Sequence, residues 1–563
     1  MLLPLGLALA VVTGLGSYCE TSDDQTLAWL FAGVLALKPV ASLPLYFHGY
    51  GHALAAAYAA APSVPWLGLL LGALLAGATV LFFAVLNKLL RPFLKPAVLA
   101  AVLMPFFGLA WLEHWLWFSH VRVAVLLAGA AVLFAAQRPA RRVAWLLGLA
   151  GVGAAWLLRP SAAVLGVGAV LPAAVLLAGG WRRAAPLLLA VAAALALATG
   201  VLAGLRTPAE ARYQARDRYL TQILDDNQLR PVPQTPADSL GTAAVGEWLL
   251  GDATVVNEAF FQRAYRFEAA DFWGREVPAK LRLRAGLLLR DYFAVLLALA
   301  AAGWGAGRHR GRRAGFWLVQ GGFVAGLVGL AGLLKLPPRL ELPLLDFWLL
   351  TNVIFWLKNV RQEPESNDEP GPNAAGLLPV SALGRALGLA AVLLLLGLYG
   401  AKTWHRQQVL RAEQQRHERA LHAISELGAR RVRILAGTND YLKSLSPFRT
   451  YAPGPGPVLL LTGWPAHDPS QAPLRRVLSG AADQNECLRR LACLKPTGAG
   501  AEVLWVLTPE TAAWLSRRWG FDGLRLQFTP TGAPLPSGND SPVSVFQVRP
   551  VPVELAKSGP RVP

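Results

Sequence analysis

Acidic residues and cysteines are scarce in this chain of 563 residues, which has 34 aspartates and glutamates and three cysteines. Cys487 and Cys493 stand six positions apart in a stretch typical of a helix, where that spacing places them on different faces. A disulfide between them would require a break in that helix. No CxxC pair or cysteine–histidine cluster occurs, so the sequence does not indicate a structural metal site.

Charged residues of either sign make up only 15% of the chain, whereas hydrophobic residues make up 54%. Apolar runs of about 20 residues recur, which is the length that a helix needs to cross a bilayer core of about 30 Å. The net charge of +19 would favour nucleic-acid binding in a soluble protein. Here the basic residues cluster in short loops between apolar runs, which is typical of the positive-inside rule and does not predict a nucleic-acid partner.

The alternation of apolar runs and basic loops predicts an α-helical polytopic membrane protein with about 11 transmembrane helices. Basic residues cluster at 88–95, 138–142, 182–183 and 308–313, and we assign these loops to the cytoplasmic side. The first apolar run, 2–18, lacks a basic leading segment, so we interpret it as an uncleaved helix. We therefore expect membrane lipids as partners and the bacterial inner membrane as the location.

Composition divides the chain into three parts. Residues 1–402 are predicted to form the transmembrane domain, with long outer loops at 19–64 and 205–284. A polar helix at 403–427 would then link this domain to residues 428–563.

The last part, 428–563, alternates short apolar runs with helical ones. This pattern predicts a small extracytoplasmic α/β domain at the carboxy-terminal end. Its apolar runs at 458–464 and 503–507 are separated by a helical stretch, so we expect them to be adjacent parallel strands.

An adjacent acidic pair, Asp23 and Asp24, follows the first apolar run and is the leading catalytic candidate, with Asp24 as the expected base and Asp23 as the second choice. A carboxylate beside a membrane can act as a general base on an acceptor hydroxyl, or hold a divalent cation against a phosphate. The alternative is helix capping, since Ser22 or Asp23 suits the N-cap of a helix that starts at Asp24 or Gln25. The two roles are compatible, because a capping turn also fixes the neighbouring carboxylate.

Three further residues are candidates for substrate binding. His48 and His52 have the spacing of a metal-binding pair on one helical face, although Gly49 and Gly51 disfavour a rigid helix there. The alternative is a pair of interfacial histidines that hydrogen-bond to backbone or headgroups. Arg159, at an outer helix end, could hold a lipid-linked phosphate through paired hydrogen bonds or could extend to headgroups.

Other signals for chemistry are few. Asp346 is a rare acid within a predicted span and is by default a functional candidate, but the sequence names no partner for it. No GxxxxGK[ST] or GxSxG motif occurs, so nothing indicates an ATPase or an α/β-hydrolase. No internal repeat of the kind typical of transporters is evident.

The start of the chain resembles that of the polytopic GT-C glycosyltransferases. The matching features are Asp23-Asp24, the interfacial segment 26–37 and the P-x-x-P-W entry to the second helix at 62–66. WLLRPSAAVL, which contains Arg159, is similar to a recurrent segment of these proteins. The resemblance covers about residues 1–200 and the order of helices followed by an outer soluble domain.

This resemblance implies a polyprenyl-phosphate-linked sugar donor, inverting transfer and an extracytoplasmic acceptor. Asp24 or Asp23 would be the base or the holder of a divalent cation. The next outer loop offers only Glu113 where these enzymes have a second acidic motif, so a relative without catalytic activity is an alternative. Two other classes stay open: a non-enzymatic envelope assembly protein that binds partners, and a lipid or polysaccharide transporter.

Overall fold

A computed structural model describes residues 2–308, 313–360, 382–427, 431–452, 454–493, 503–532, 534–535 and 542–550. The centre of the basic loop, 309–312, and the polar segment 361–381 lie outside the described residues.

Ten helices form the first part of the chain, because apolar runs satisfy their backbone hydrogen bonds within the segment when they adopt a helix. α5 and α6 are joined by a π-helical turn at Phe107–Trp111. The helices are α1 Leu2–Gly14, α2 Asp23–Phe31, α3 Tyr50–Ala60, α4 Trp66–Leu90, α5 Pro96–Phe106, α6 Leu112–Leu116, α7 His120–Ala136, α8 Arg142–Leu158, α9 Pro160–Ala178 and α10 Trp181–Leu205.

Helix α7 is the centre of this bundle and is buried along almost its whole length between α4, α8 and α9. Small residues allow this close packing: Gly166 of α9 lies against the backbone of Val125, where a Cβ atom would come within 2.4 Å of the carbonyl oxygen. Ser119 caps α7 by accepting a hydrogen bond from the amide of Val121 at 3.3 Å. The first residue of α7, His120, is therefore held in a fixed position.

A short parallel pair of strands joins the first outer loop to this bundle. β1, Tyr18–Cys19, pairs with β2, Trp117–Phe118, which ends just before α7. The other edge of β1 bonds to the C-terminal part of the chain, where Cys19 exchanges backbone hydrogen bonds with Ser444 and Leu445 at 3.0 and 2.8 Å. The acidic pair that follows β1 is therefore fixed from both sides.

Residues 208–291, which include most of the predicted outer loop at 205–284, are called the outer insert. The outer insert contains five helices and an antiparallel strand pair. α11 and α12 each begin with a capping box, formed by Thr207 with Glu210 and by Thr235 with Asp238. The elements are α11 Pro208–Leu220, β3 Leu229–Pro231, α12 Pro236–Gly246, α13 Glu258–Ala264, β4 Tyr265–Phe267, α14 Ala269–Asp271 and α15 Val277–Asp291.

Four longer helices follow: α16 Phe293–Arg308, α17 Arg313–Leu333, α18 Pro338–Val360 and α19 Ala382–Leu427. α19 runs for 46 residues, about 69 Å at 1.5 Å per residue, and crosses the predicted domain boundary at 402–403 without a break.

Seven helices of the described residues are long and apolar enough to cross a membrane, or eight if the bent pair of α14–α15 and α16 forms one span. Three shorter apolar helices, α1, α7 and α8, accompany them. The helical membrane class is thus supported, whereas the number of about 11 spans and their orientation stay predictions.

A five-stranded sheet with three helices forms the C-terminal unit. Its elements are β5 Val432–Leu435, β6 Val458–Leu460, α20 Gln471–Ser479, α21 Gln484–Cys493, β7 Val503–Leu507, α22 Pro509–Phe521, β8 Leu526–Thr531 and β9 Ser544–Pro550. The strand order is β6-β5-β7-β9-β8, with β5 parallel to both its neighbours and β9 antiparallel to both of its own. α21 is unbroken, and both of its cysteines are free.

The predicted adjacency of the runs at 458–464 and 503–507 is wrong, although their parallel direction is correct. β5 lies between them and is buried at all four positions. The chain first forms β5, the middle one of the three parallel strands, and then adds β6 and β7 on either side of it. The apolar pattern of the two outer strands carries no information about which strand separates them.

The outer insert and the sheet share one hydrophobic core. Phe260 and Phe261 of α13 belong to the same buried cluster as Ile434 of β5 and Trp514 of α22. The indole of Trp514 also donates to the carbonyl of Leu240 at 3.0 Å. The outer insert and the C-terminal unit are therefore packed together around one core.

Candidate functional site

A cavity of about 1090 Å³ lies where the start of α2, the outer insert and the C-terminal sheet meet. We call it the polar cavity. Arg159, one of its lining residues, separates α8 from α9, a helix long and apolar enough to cross a membrane, so the cavity lies at the end of a candidate span. Its walls include Glu20, Asp23, Tyr46, Arg159, Asp217 and Trp464.

Asp23 faces this cavity from the first turn of α2. Its carboxylate accepts hydrogen bonds from the indole of Trp464 at 3.0 Å and from the hydroxyl of Thr21 at 3.2 Å. Burial raises the pKa of Asp23, but the nearby charges of Arg339 and Arg159 and the Trp464 bond help to outweigh burial and leave that pKa below its usual value. Asp23 is therefore ionised at neutral pH.

The predicted capping role is not seen at this helix. α2 begins at Asp23, so Ser22 occupies the N-cap position, but its side chain makes no capping hydrogen bond. Asp23 at the first helical position is still favoured by the positive end of the helix dipole.

Asp24 points away from the polar cavity, because successive helical residues are about 100° apart. Only 3% of it is exposed, and its Oδ1 atom accepts hydrogen bonds from the backbone amide and the Nδ1 atom of His120, at 3.0 and 2.8 Å. Its Oδ2 atom has no hydrogen-bond partner. The two adjacent aspartates thus have different surroundings: Asp23 lines the polar cavity, whereas Asp24 is buried against His120.

A second cavity of about 370 Å³ lies on the Asp24 side of α2. We call it the apolar cavity, because most of its lining is hydrophobic, including Trp29, Tyr58, Leu67 and Leu71.

Arg159 connects the two aspartates. Its Nη1 atom lies 3.2 Å from Nε2 of His120, and its guanidinium lies 4.6 Å from the centre of the Tyr46 ring. The structure therefore places Asp23 and Arg159 in the wall of one cavity, while Asp24 contacts Arg159 only through His120.

His48 and His52 are not among the lining residues of either cavity. His48 is half-buried beside Trp156, with ring centres 5.8 Å apart, and His52 is exposed on α3. Gly49 precedes α3 with a φ of +81°, so the two histidines do not share one helix. Within the described residues, no group of three or more histidine, cysteine, aspartate or glutamate side chains could hold a metal ion.

The C-terminal sheet contributes a further wall through the carboxyl ends of its three parallel strands. Gly437, Thr462 and Thr508 follow β5, β6 and β7 and line the polar cavity. Ligands of open α/β sheets bind at this edge. Gly437 has a φ of +71°, and a Cβ atom there would lie 2.2 Å from the methyl carbon of Thr508, so only glycine fits.

His467 adds a neutral aromatic ring to the wall, and Tyr213 packs against it. Their rings stack with centres 4.6 Å apart, and His467 lines the polar cavity. Burial lowers the pKa of His467 to about 3, and neither ring nitrogen has a hydrogen-bond partner. A neutral imidazole offers one donor and one acceptor.

Asp217 adds an acid whose charge depends on pH. It lies in α11 and lines the polar cavity. Burial raises the pKa of Asp217 to about 6, while the charge of Arg159 opposes that rise.

Two acids singled out in the sequence lie inside the bundle instead. Asp346 pairs with His114 at 2.8 Å, and both side chains are fully buried. Glu113 binds Arg406 at 2.8 Å, accepts a hydrogen bond from Tyr399 at 2.7 Å and also pairs with Lys402. Because Glu113 belongs to this internal network, it does not supply a second acid to the polar cavity.

The sequence did not reveal His120, Arg339 and Trp464 as parts of this site. His120 starts an apolar helix and is 96 positions from Asp24, so no local motif links them. Arg339 lies in the first turn of α18, directly after Pro337-Pro338, and its backbone amide donates to Glu20 at 3.0 Å. Its position among apolar residues at the start of a span was the available signal.

Comparisons of the chain with protein-family models, with curated proteins and with solved structures gave no match.

Proposed function

We propose that this protein transfers a sugar from a polyprenyl-phosphate-linked donor to an acceptor in the polar cavity. The observation that supports this most is the shared cavity of Asp23 and Arg159 at the end of a membrane-spanning helix. A carboxylate base and a phosphate-binding cation are the two groups that such a transfer requires.

Arg159 would hold the phosphate of the donor. A guanidinium binds phosphate oxygens through two parallel hydrogen bonds, and the isoprenoid chain could remain in the membrane beside α9. Further cations line the same cavity and would add to its attraction for a phosphate: Arg284, Lys335, Arg339 and Lys443.

Asp23 would accept the proton of the acceptor hydroxyl. As that proton leaves, the acceptor oxygen forms a bond to the anomeric carbon, and the bond from this carbon to the phosphate oxygen breaks. The polyprenyl phosphate departs with the bonding electrons, and Arg159 stabilises its negative charge. The attack from the opposite side inverts the configuration.

The acceptor would bind against the carboxyl edge of the sheet. Thr462, Thr508 and His467 present uncharged polar groups there, which suit a hydroxylated molecule. The acceptor would then share with the donor the cavity that Arg159 also lines.

The test is a transfer assay with full-length protein reconstituted in liposomes. The donors are radiolabelled polyprenyl-phosphate hexoses and pentoses, and the acceptor is an envelope fraction from cells that lack the protein. Asp23→Asn should lower the transfer rate by about 10²–10⁴-fold, as loss of a general base does. Glu247→Gln, a change of another carboxylate that lines the cavity, should leave the rate within about twofold. Equal rates for the wild type and a folded Asp23→Asn variant would overturn the proposal.

A further inference from the structure

Asp24, His120 and Arg159 form a chain of contacts from the apolar cavity to the polar one. Asp24 bonds to Nδ1 of His120 at 2.8 Å, and Nε2 of the same ring lies 3.2 Å from Arg159. His120 is 1% exposed, whereas Arg159 is half-buried and lines the polar cavity. This series of buried contacts thus ends at Arg159, the cation that is proposed to hold the phosphate.

The chemistry of the partners determines where the proton of His120 lies. A guanidinium nitrogen can only donate, so Nε2 must accept from Arg159. The ring proton then lies on Nδ1 and is donated to the carboxylate of Asp24. The other ionisable groups around His120 are Asp23 on α2 and Tyr46 in the first outer loop, whose ring centre is 5.7 Å from that of His120.

Two contacts fix the guanidinium of Arg159 in one orientation. Tyr46 packs against its face at 4.6 Å, and His120 accepts from its edge at 3.2 Å. A planar group held by both its face and its edge has lost most of its rotational freedom before a ligand arrives. Such preorganisation strengthens binding, because the ligand does not have to order the side chain.

We propose that Asp24 and His120 are positioning residues, which orient Arg159 for the phosphate of a polyprenyl-phosphate lipid. This inference rests on the proposed function, since it takes Arg159 as the phosphate ligand. Asp24 fixes the tautomer of His120, and His120 fixes the direction of the guanidinium. Asp24 therefore acts without touching the substrate, in contrast to its neighbour Asp23.

Binding of polyprenyl phosphate tests this role without any transfer reaction. The full-length protein is placed in nanodiscs that contain either polyprenyl phosphate or the uncharged polyprenol, and the affinity for each is measured. The wild type should bind the phosphate more tightly, and Arg159→Ala should weaken phosphate binding by at least about tenfold. Binding of polyprenol should not change.

Two substitutions separate the contacts of His120. The amide of asparagine reaches the position of Nδ1, so His120→Asn can keep the bond to Asp24 but loses the acceptor for Arg159. The amide oxygen of glutamine reaches the position of Nε2, so His120→Gln can keep the bond to Arg159. We expect His120→Asn to weaken phosphate binding by about tenfold and His120→Gln by less than about threefold. A purely structural role would not give this order.

A double-mutant cycle then shows whether His120 acts through Arg159. In the Arg159→Ala background, His120→Asn should change phosphate affinity by less than about twofold. The matched control is His48→Asn, a half-buried histidine of the same region outside both cavities, which should leave phosphate binding unchanged. Thermal unfolding identifies any variant that fails to fold, in which case His120→Gln and its cycle with Arg159→Ala give the answer.

The outcomes distinguish this inference from the proposed function. Phosphate binding that follows the expected order in a protein without transfer activity supports the positioning role and contradicts the transferase. Transfer that depends on Asp23, together with phosphate binding unaffected by His120→Asn, overturns the positioning role alone. A wild type that binds polyprenyl phosphate no more tightly than polyprenol also overturns it.

Discussion

The two walls of the polar cavity differ in chemistry. The membrane-side wall presents ionised groups, with Asp23 and Arg159 facing the same space. The sheet wall presents uncharged groups, among them Thr462, Thr508 and His467, beside the oppositely charged Asp440 and Lys443. The first wall suits a charged phosphate at the membrane, and the second suits a hydroxylated molecule from the aqueous side.

Under the proposed function, this difference would let one cavity bind two dissimilar partners. Groups of opposite charge placed together on one wall would bind and activate the reacting atoms. Uncharged donors and acceptors on the other wall would recognise an acceptor without repelling the donor. Changes to each wall should therefore affect donor and acceptor recognition separately.

The side of the membrane on which the sheet lies should give an all-or-none result. Basic loops are retained on the cytoplasmic side, so reporter fusions after residue 310 and after residue 430 should report opposite sides of the membrane. Cysteine labelling from outside intact cells provides an independent check. The same sidedness at both positions would contradict the assignment of the C-terminal sheet to the side of the membrane opposite the basic loops.

Arg339→Ala should change the membrane-side wall in two ways. We expect phosphate affinity to fall by about tenfold, because a cation of the cavity is removed. The charge of Arg339 also lowers the pKa of Asp23, so its loss should raise that pKa and move the acidic limb of the rate–pH profile to higher pH. Lys443→Ala is the control for the rate–pH profile, since it removes another cation of the cavity that is not among the main charges that lower the pKa of Asp23. An unshifted acidic limb would contradict the assignment of Asp23 as the base.

Asn439→Ala should affect only the sheet wall. Asn439 lines the polar cavity, and its side-chain oxygen has no hydrogen-bond partner in the structure, so its removal should cost little stability. We expect the KM for the acceptor to rise by about tenfold, which is the value of one good hydrogen bond. The affinity for polyprenyl phosphate should be unchanged. Equal losses for donor and acceptor would show that the walls do not divide recognition.

Asp217→Asn should have the smallest effect, and only above about pH 6. Because burial raises the pKa of Asp217 to about 6, the carboxylate is charged at pH 7.5 and neutral at pH 5. At pH 7.5 the neutral variant should bind polyprenyl phosphate about two- to threefold more tightly, since one repulsive charge is removed. At pH 5 the variant and the wild type should bind alike. A difference that grows as the pH falls would have the wrong sign.

The helices and the acidic pair could be predicted from the sequence, because both leave local signals. Apolar runs of sufficient length predict the membrane helices, and the acids directly after such a run identified the pair Asp23 and Asp24, with Asp24 as the expected base. The sequence could not separate Asp23 from Asp24, since their different surroundings depend on helix phase and on which neighbours pack against α2. His120 distinguishes them, but its contact with Asp24 spans 96 positions.

Strand order and ion pairing were also beyond the sequence. The run at 432–435 is short and contains Arg433, yet it forms the centre of the parallel strands. Asp346 stood without a partner in the sequence, and the fold supplies His114 from a helix 232 positions away. Both relations come from packing between distant segments, which composition and periodicity do not encode.

The most direct test of the two-wall account is an electron cryomicroscopy structure of Asp23→Asn in nanodiscs with a polyprenyl-phosphate sugar. This variant should retain the donor, because the phosphate ligand is intact and the base is absent. The account predicts phosphate density beside the guanidinium of Arg159, the sugar within the polar cavity and the isoprenoid chain leaving towards the membrane. Phosphate density in the apolar cavity beside Asp24, with the polar cavity empty, would contradict it.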